Sequence, residues 1–263
     1  MIEAQREQGY QGALAYERNG ALSTFSVSSR TNDDSLLQSL QPLNRDASSR
    51  LVFNGCSPES GDVLAARLAQ LYNFYITGES RVAGRQVHEL LLLPLDPYRY
   101  GYGFSIDKDS LLMLRSVVMT TQREPIERIE FVSLDLSGGT SPSNAQVSCE
   151  PGEDSETGWS VAERPPGFDL VDEQISHDDS GITLVYSDGL SNVSVLLNPV
   201  ENAEFPSLTT HLGATNVLLT YARTLESLHR VTLIGEVPMR SLELMASGLQ
   251  YNGPSEQQDE TGP

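Results

Sequence analysis

The chain has 263 residues, 38% of them hydrophobic and 20% charged, a length and balance that suit one large or two modest globular domains. It contains no run of about 18 apolar residues, which excludes a helix built to span a bilayer. The net charge of −19 divides unevenly, −4 over residues 1–136 and −15 over 137–263, so the second half repels nucleic acid and anionic membrane and suits basic or apolar polypeptide partners, although the same acid also serves solubility.

Ile2 to Gln8 reads as a charged helical stub ended by Gly9, and no signal peptide is visible, as expected of a mature or trimmed form. Leu14–Glu17 and Leu22–Val27 flank Arg18-Asn19-Gly20, and Asn-Gly between alternating runs predicts a two-residue hairpin. Leu36–Leu43 and Leu51–Phe53 are candidate short strands. From Gly61 to Tyr75 the period changes: Val63, Leu64, Arg67, Leu68, Leu71 and Tyr72 recur at three and four, and Asp62 is placed to cap an amphipathic helix of about three turns. Phe74–Ile76 with Arg81-Val82, and Gln86–Leu93, predict two strands around Ala83-Gly84-Arg85.

Tyr98, Tyr100, Tyr102, Phe104 and Ile106 then alternate, which predicts five apolar side chains on one face of a strand. Asp107–Ser110 supplies a turn, and Leu112, Leu114, Ser116 and Val118 alternate on the return. Gly101 and Gly103 leave the opposite face bare, so the strand can bend or admit another surface. Such a curved sheet with an aromatic lining fits two readings, a filled core or a hollow face for a lipid-like ligand. Ile126–Leu136 adds a last strand. The fold class expected is mainly β with an α+β part: a large unclosed β-barrel over residues 1–136 with a covering helix, then a smaller α+β unit.

Residues 137–158 are rich in Gly, Ser, Pro and acid, and predict a flexible linker. Trp159, the only tryptophan, should anchor the core or a seam of the second unit, residues 159–252. Arg164–Phe168 reads as a stiff entry turn. Asp169–Ile175, Ile182–Tyr186, Val193–Leu197, Ala214–Arg223 and Arg230–Gly235 predict strands. Pro238 begins a helix whose Leu242, Met245, Ala246 and Leu249 face inward. Residues 253–263 predict a disordered acid tail.

No catalytic constellation, cofactor motif or metal site emerges. His88, His177, His211 and His229 lie in no nucleophile or metal-binding spacing; His88 reads as structural, and His177 and His229 as solvated. Asp178-Asp179 and Asp107 with Asp109 are fragments of calcium loops without the remaining oxygen ligands. Cys56 and Cys149 fit one disulfide or two inert thiols.

Tyr10-Gln-Gly12, Tyr98-Arg-Tyr-Gly-Tyr102 with Ile106-Asp107, Pro165-Pro-Gly-Phe168, Tyr186-Ser-Asp-Gly-Leu190 and Gly235-Glu-Val-Pro238 stand in the order seen in the MucB/RseB family of periplasmic sigma-factor regulators, which the chain resembles over nearly its whole length. The resemblance implies a large domain like the lipoprotein carriers of the bacterial periplasm joined to a smaller α+β domain. It implies binding to the periplasmic domain of a transmembrane anti-sigma factor of MucA/RseA type, shielding of that segment from site-1 protease, and release by lipid or lipopolysaccharide fragments. A homodimer is compatible with it. On this reading lipid contacts fall around Leu68, Tyr72, Phe74, Tyr98, Tyr100 and Tyr102. Partner contacts fall around Tyr186, Asp188, Gly189, Leu190 and Glu236, where Asp188 and Gly189 also suit a purely geometric turn. A periplasmic lipid or lipoprotein carrier is the alternative; the acid second domain argues against it.

Overall fold

The computed structural model describes residues 9–32, 35–43, 51–55, 61–136, 157–176, 181–203, 205–225 and 227–253. The expected N-terminal helical stub, His177, Cys56, Cys149, the linker up to residue 156 and the tail from residue 254 lie outside them. The chain divides into two compact units, residues 1–150 and 151–263.

The first unit runs β1 (Tyr10–Arg18), β2 (Ala21–Asn32), β3 (Ser35–Pro42), β4 (Leu51–Gly55), α1 (Gly61–Leu71), β5 (Tyr72–Val82), β6 (Arg85–Pro94), β7 (Gly101–Asp107), β8 (Met113–Met119) and β9 (Pro125–Asp135). One antiparallel sheet of nine strands results, in the order β4-β3-β2-β1-β9-β8-β7-β6-β5. Asn19 and Gly20 both take positive φ, 51° and 75°, the geometry of the primed turn that their residue types predict. Ala83 and Gly84 close β5 to β6 the same way. The sheet is unclosed, yet it rolls: β5 approaches β9 although three strands lie between them in the order. Val82 and Val87 thereby join Tyr10, Leu14, Val27, Leu112, Leu114 and Phe131 in one core. The half-open barrel expected from the sequence is the fold found.

Three details differ from expectation. β7 begins only at Gly101, so Tyr98 and Tyr100 precede the strand instead of alternating along it. A turn displaces them: the Asp96 carboxylate accepts the Tyr98 N–H at 2.9 Å and pairs with Arg99, whose side chain is fully buried. Along α1, Leu64, Leu68 and Leu71 are buried but Val63 is exposed, because the helix touches the unit with one narrow stripe. The glycine face of β7 is also covered rather than bare, since a Cβ added at Gly101 would lie 3.0 Å from Met119 Cγ.

The second unit runs β10 (Trp159–Val161), β11 (Asp169–Ile175), β12 (Ile182–Ser187), β13 (Asn192–Val200), β14 (Leu208–Leu212), β15 (Thr215–Arg223), β16 (Leu228–Gly235), α2 (Met239–Ser247) and β17 (Leu249–Tyr251). Six strands form a sheet in the order β11-β12-β13-β16-β15-β14, and β10 pairs with β17. α2 covers β15 and β16, and Leu184, Val193, Val195, Leu197, Val231, Leu233, Leu242 and Met245 form a core that includes Trp159. The entry turn is stiff for a visible reason: Arg164 donates from Nη1 to the Val161 carbonyl at 3.0 Å and from Nε to that of Phe168 at 2.5 Å. β14 is an addition, because Leu-Thr-Thr-His-Leu lacks alternation and becomes a strand only by pairing with β15. Leu249 leaves the expected helix: Gly248 ends it, and Leu249 pairs with Val161 in β17.

Candidate functional site

In an antiparallel sheet, directly opposed residues share a face. The register therefore gathers Phe74, Leu92, Tyr102, Val118 and Glu127 into one row across β5 to β9. Ile76, Leu90, Phe104, Ser116, Ile129 and Tyr16 form the next row on the same side. This face is apolar nearly throughout. Its middle is filled, with Tyr72 edge-on to Tyr102 at 6.1 Å and Tyr102 stacked on Phe104 at 5.7 Å. Its flanks are not: Ile76 is 78% exposed, and Phe74 and Ile129 are each 43% exposed. Phe74 and Ile76 are neighbours on one face of β5, so the exposed part of this face includes an apolar pair at the sheet edge. A polar group ends one row. There the Tyr16 hydroxyl donates to the buried Glu127 carboxylate at 2.8 Å, and the Arg18 guanidinium lies 5.5 Å from the Tyr16 ring centre.

The opposite face carries a charged ladder beside a row of Tyr75, Leu91, Gly103, Val117 and Arg128. Glu89, Ser105, Arg115 and Glu130 are opposed in turn across four strands. Arg115 donates to Glu89 at 2.6 Å and to the Ser105 hydroxyl at 2.9 Å, and Ser105 donates to Glu89 at 2.8 Å. At the β7–β8 turn, Asp107 takes a two-pronged contact from Arg85 at 2.9 and 2.7 Å and two hydrogen bonds from Ser110. Burial alone would raise this carboxyl's pKa; Arg85 and Ser110 outweigh it and hold the group below the ordinary carboxylate range. Asp107 is thus a clasp for the hairpin rather than part of a calcium loop.

Of the six residues expected to meet lipid, Leu68, Tyr72, Tyr100 and Tyr102 are buried, Tyr98 is half-buried and Phe74 is exposed. The fold brings Tyr72 and Tyr102 together, and Phe74 shares their face. Ile76, Leu90, Leu92, Phe104, Val118, Ile129 and Tyr16 share that face and were not among the six. Phe74 and Ile76 carry a period-two signal, but the opposition of Ile76, Ile129 and Tyr16 needs the strand order.

In the second unit Tyr186 is a core residue whose hydroxyl accepts the Val161 N–H at 3.0 Å, and burial raises its pKa. Asp188 is fully buried, its carboxylate accepting the N–H groups of Leu190 at 2.9 Å and Ser191 at 2.8 Å. Gly189 sits at φ 96°, a conformation that disfavours other residues. Tyr186 and Asp188 therefore build the turn, while half-buried Gly189 and Leu190 and exposed Glu236 are what it shows at the surface. Val193 opposes Gly235, so Glu236 adjoins that same end of the sheet. Two histidines depart from expectation. His88 is exposed, 3.7 Å from Glu79, and His229 packs edge-on to Trp159 at 5.0 Å.

The family model of the MucB/RseB N-terminal domain matches residues 52–150, and that of the MucB/RseB C-terminal domain matches residues 153–250. The chain is 29% identical over 95% of its length to "Sigma factor AlgU regulatory protein MucB" of Pseudomonas aeruginosa, covering 88% of that protein. It is 25% identical over 70% of its length to "Sigma-E factor regulatory protein RseB" of Haemophilus influenzae, of which it spans 61%. A crystal structure of MucB in complex with MucA(peri) superposes with a TM-score of 0.77 at 29% identity over 96% of each chain. A complex structure of Pseudomonas aeruginosa MucA/MucB gives 0.76 at 27% identity, covering 95% of this chain and 96% of that one. The relatives are regulatory binding proteins, and two matched domain models in order, with a superposition spanning both units, agree with the five sequence motifs: the chain belongs to the MucB/RseB family.

Proposed function

We propose that this chain is a non-enzymatic negative regulator of an envelope-stress sigma factor in the periplasm. It binds the periplasmic domain of a transmembrane anti-sigma factor, shields it from site-1 protease, and lets go when a lipid or lipopolysaccharide fragment enters the first unit. Residues 1–136 act as the lipoprotein-carrier-like part, 159–252 as the partner-binding part, and 137–158 as the joint between them. The observation that carries the reading is the connected apolar face with Phe74, Ile76 and Ile129 left open. Acyl chains suit it, because each buried CH₂ contributes about 0.8 kcal/mol. A ligand ejects a partner only by preferring the partner-free state, and a preference of about 1–3 kcal/mol changes affinity roughly 5- to 150-fold.

The test is a titration of a labelled anti-sigma periplasmic fragment, with and without lipopolysaccharide, alongside cleavage of that fragment by site-1 protease. Tight binding that protects the fragment and weakens with lipid is expected. Lipid binding without affinity for the fragment would instead make the protein a carrier, the second reading that the same open face favours.

A further inference from the structure

Between Phe205 and Ala222 the chain holds no Asp, Glu, Lys or Arg, although residues 137–263 carry 19 acids. That uncharged stretch becomes the β14–β15 hairpin, and β14 is an outermost strand of the six-stranded sheet. Every residue of β14 is exposed, Leu208 at 44% and Leu212 at 54%. An edge strand offers unpaired N–H and C=O groups, and folds guard such edges with charge, proline or a bulge. The other edge of this sheet, β11, has Asp169, Asp172 and Glu173 and a bulge between Leu170 and Asp172. The edge strand β5 of the first unit has Glu79, Arg81 and a bulge between Ile76 and Gly78. β14 has none of these: Leu208 to Leu212 opposes Leu219 to Thr215 in unbroken register.

The same register decides which backbone groups are free. A two-residue turn, Gly213-Ala214, closes the hairpin, so Leu212 and Thr215 are a hydrogen-bonded pair, and the alternation directs the bonds of Thr210 and Leu208 to β15 as well. Thr209 and His211 keep N–H and C=O groups directed off the sheet. Their side chains lie on the face of the core residue Leu218, whereas Leu208, Thr210 and Leu212 lie on the other face with Leu219, Val217 and Thr215.

We propose that β14 pairs with β14 of a second copy of this chain, antiparallel about a two-fold axis at Thr210, so that the two sheets become one. About that axis Thr209 opposes the second copy's His211 and the reverse, and both pairs exchange the backbone bonds that each edge leaves free. Leu208 meets the second copy's Leu212 and extends the Leu208–Leu219 row across the seam, while Thr210 meets its own counterpart. The strand is thus complementary to itself. Charge selects the same occupant: two chains at −19 repel over most of their surface and can approach where neither bears charge, whereas a basic partner gains nothing from an uncharged edge. Self-pairing at this edge does not depend on the regulatory reading.

Sedimentation velocity of the full-length chain should show a dimer with a micromolar Kd, in which the Thr209 and His211 amides exchange slowly with solvent. His211→Pro removes an off-sheet N–H and spares the bonds to β15, while Leu208→Lys and Leu212→Glu each break the apolar match. Each should weaken the dimer at least tenfold with unchanged far-UV circular dichroism. Leu208→Lys combined with Leu212→Glu, which face each other across the axis, should recover at least threefold over either alone. In a chain carrying Cys56→Ser and Cys149→Ser, Thr210→Cys should oxidise to a disulfide-linked dimer, because its two Cα atoms lie about 4.5 Å apart. Leu208→Cys should not, since its two copies lie roughly 14 Å apart, beyond the ~7 Å that a disulfide spans. A chain still monomeric at about 200 μM overturns the inference. So do equal cross-linking at the two positions, a dimer indifferent to all three substitutions, and slow exchange at Thr209 and His211 that appears only when the anti-sigma fragment is added. Each of these results leaves the regulatory reading standing.

Discussion

The two units use the same apolar residue types on their sheets and do opposite things with them. In the second, α2 lies over β15 and β16, and Leu184, Val195, Leu197, Leu233 and Met245 lose all contact with solvent. In the first, α1 reaches the sheet mainly through β5, and the apolar face stays open at Phe74, Ile76 and Ile129. A filled core and an open apolar face are therefore separated by coverage, not by composition. The first unit gains its integrity elsewhere, from the Val82–Phe131 core at one end and from the Glu89–Ser105–Arg115–Glu130 ladder on the other side of the sheet.

The contrast can be broken most directly by paired truncations. Leu233→Ala should destabilise the second unit by about 3 kcal/mol, whereas Ile76→Ala on the open face should change stability by less than about 1 kcal/mol. Denaturant unfolding followed by Trp159 fluorescence and by far-UV circular dichroism reads both. Equal losses would mean that Ile76 is core and the open face an error. Next comes the clasp of the first unit: Asp107→Asn leaves Arg85 only the exposed Asp109 carboxylate at 3.6 Å and should destabilise by about 2 kcal/mol near neutral pH. Because the folded-state pKa of Asp107 lies below its unfolded value of about 3.9, its stabilisation is present above that value and is lost as pH falls through the folded pKa. The gap between Asp107→Asn and the unaltered protein should accordingly narrow on acidification below about pH 4, and a constant gap would assign the effect to packing.

A smaller change sharpens the reading of the Tyr186 turn. Tyr186→Phe leaves the buried Val161 N–H unpaired and should destabilise by about 1–2 kcal/mol, with little effect on binding of the anti-sigma fragment. A binding loss without a stability loss would return Tyr186 to the partner surface. The smallest expected stability effect belongs to Ile76→Glu, whose melting temperature should barely move while affinity for lysophospholipid falls at least tenfold. Unaltered lipid affinity in that variant would place the ligand elsewhere.

The motifs that gave away the family turn out to be mostly instructions for the backbone. A Cβ at Gly12 would sit 2.2 Å from the Ser133 carbonyl oxygen, so the Tyr10-Gln-Gly12 motif permits the close approach of β9 to β1 beside a bulge. Arg99, between the conspicuous tyrosines, is buried, pairs with half-buried Asp96 and holds the turn into β7. Within the Tyr186–Leu190 motif, Asp188 ties the turn's own N–H groups. These residues announce the fold clearly, and a site only by way of the fold.

The sequence alone determined the hairpins at Asn19-Gly20 and Ala83-Gly84, the existence of α1, most strands of both units and the family, because turn chemistry and period-two or 3.6-residue spacing are local properties of the chain. Only the tertiary structure decided that β1 would pair with β9, that Leu-Thr-Thr-His-Leu would become an edge strand, and that Tyr102 would be buried while Ile76 stayed open. Those outcomes depend on which strand lies beside which and on what covers a face. Side-chain type specifies neither, since an apolar residue satisfies a sealed core and a waiting surface equally well.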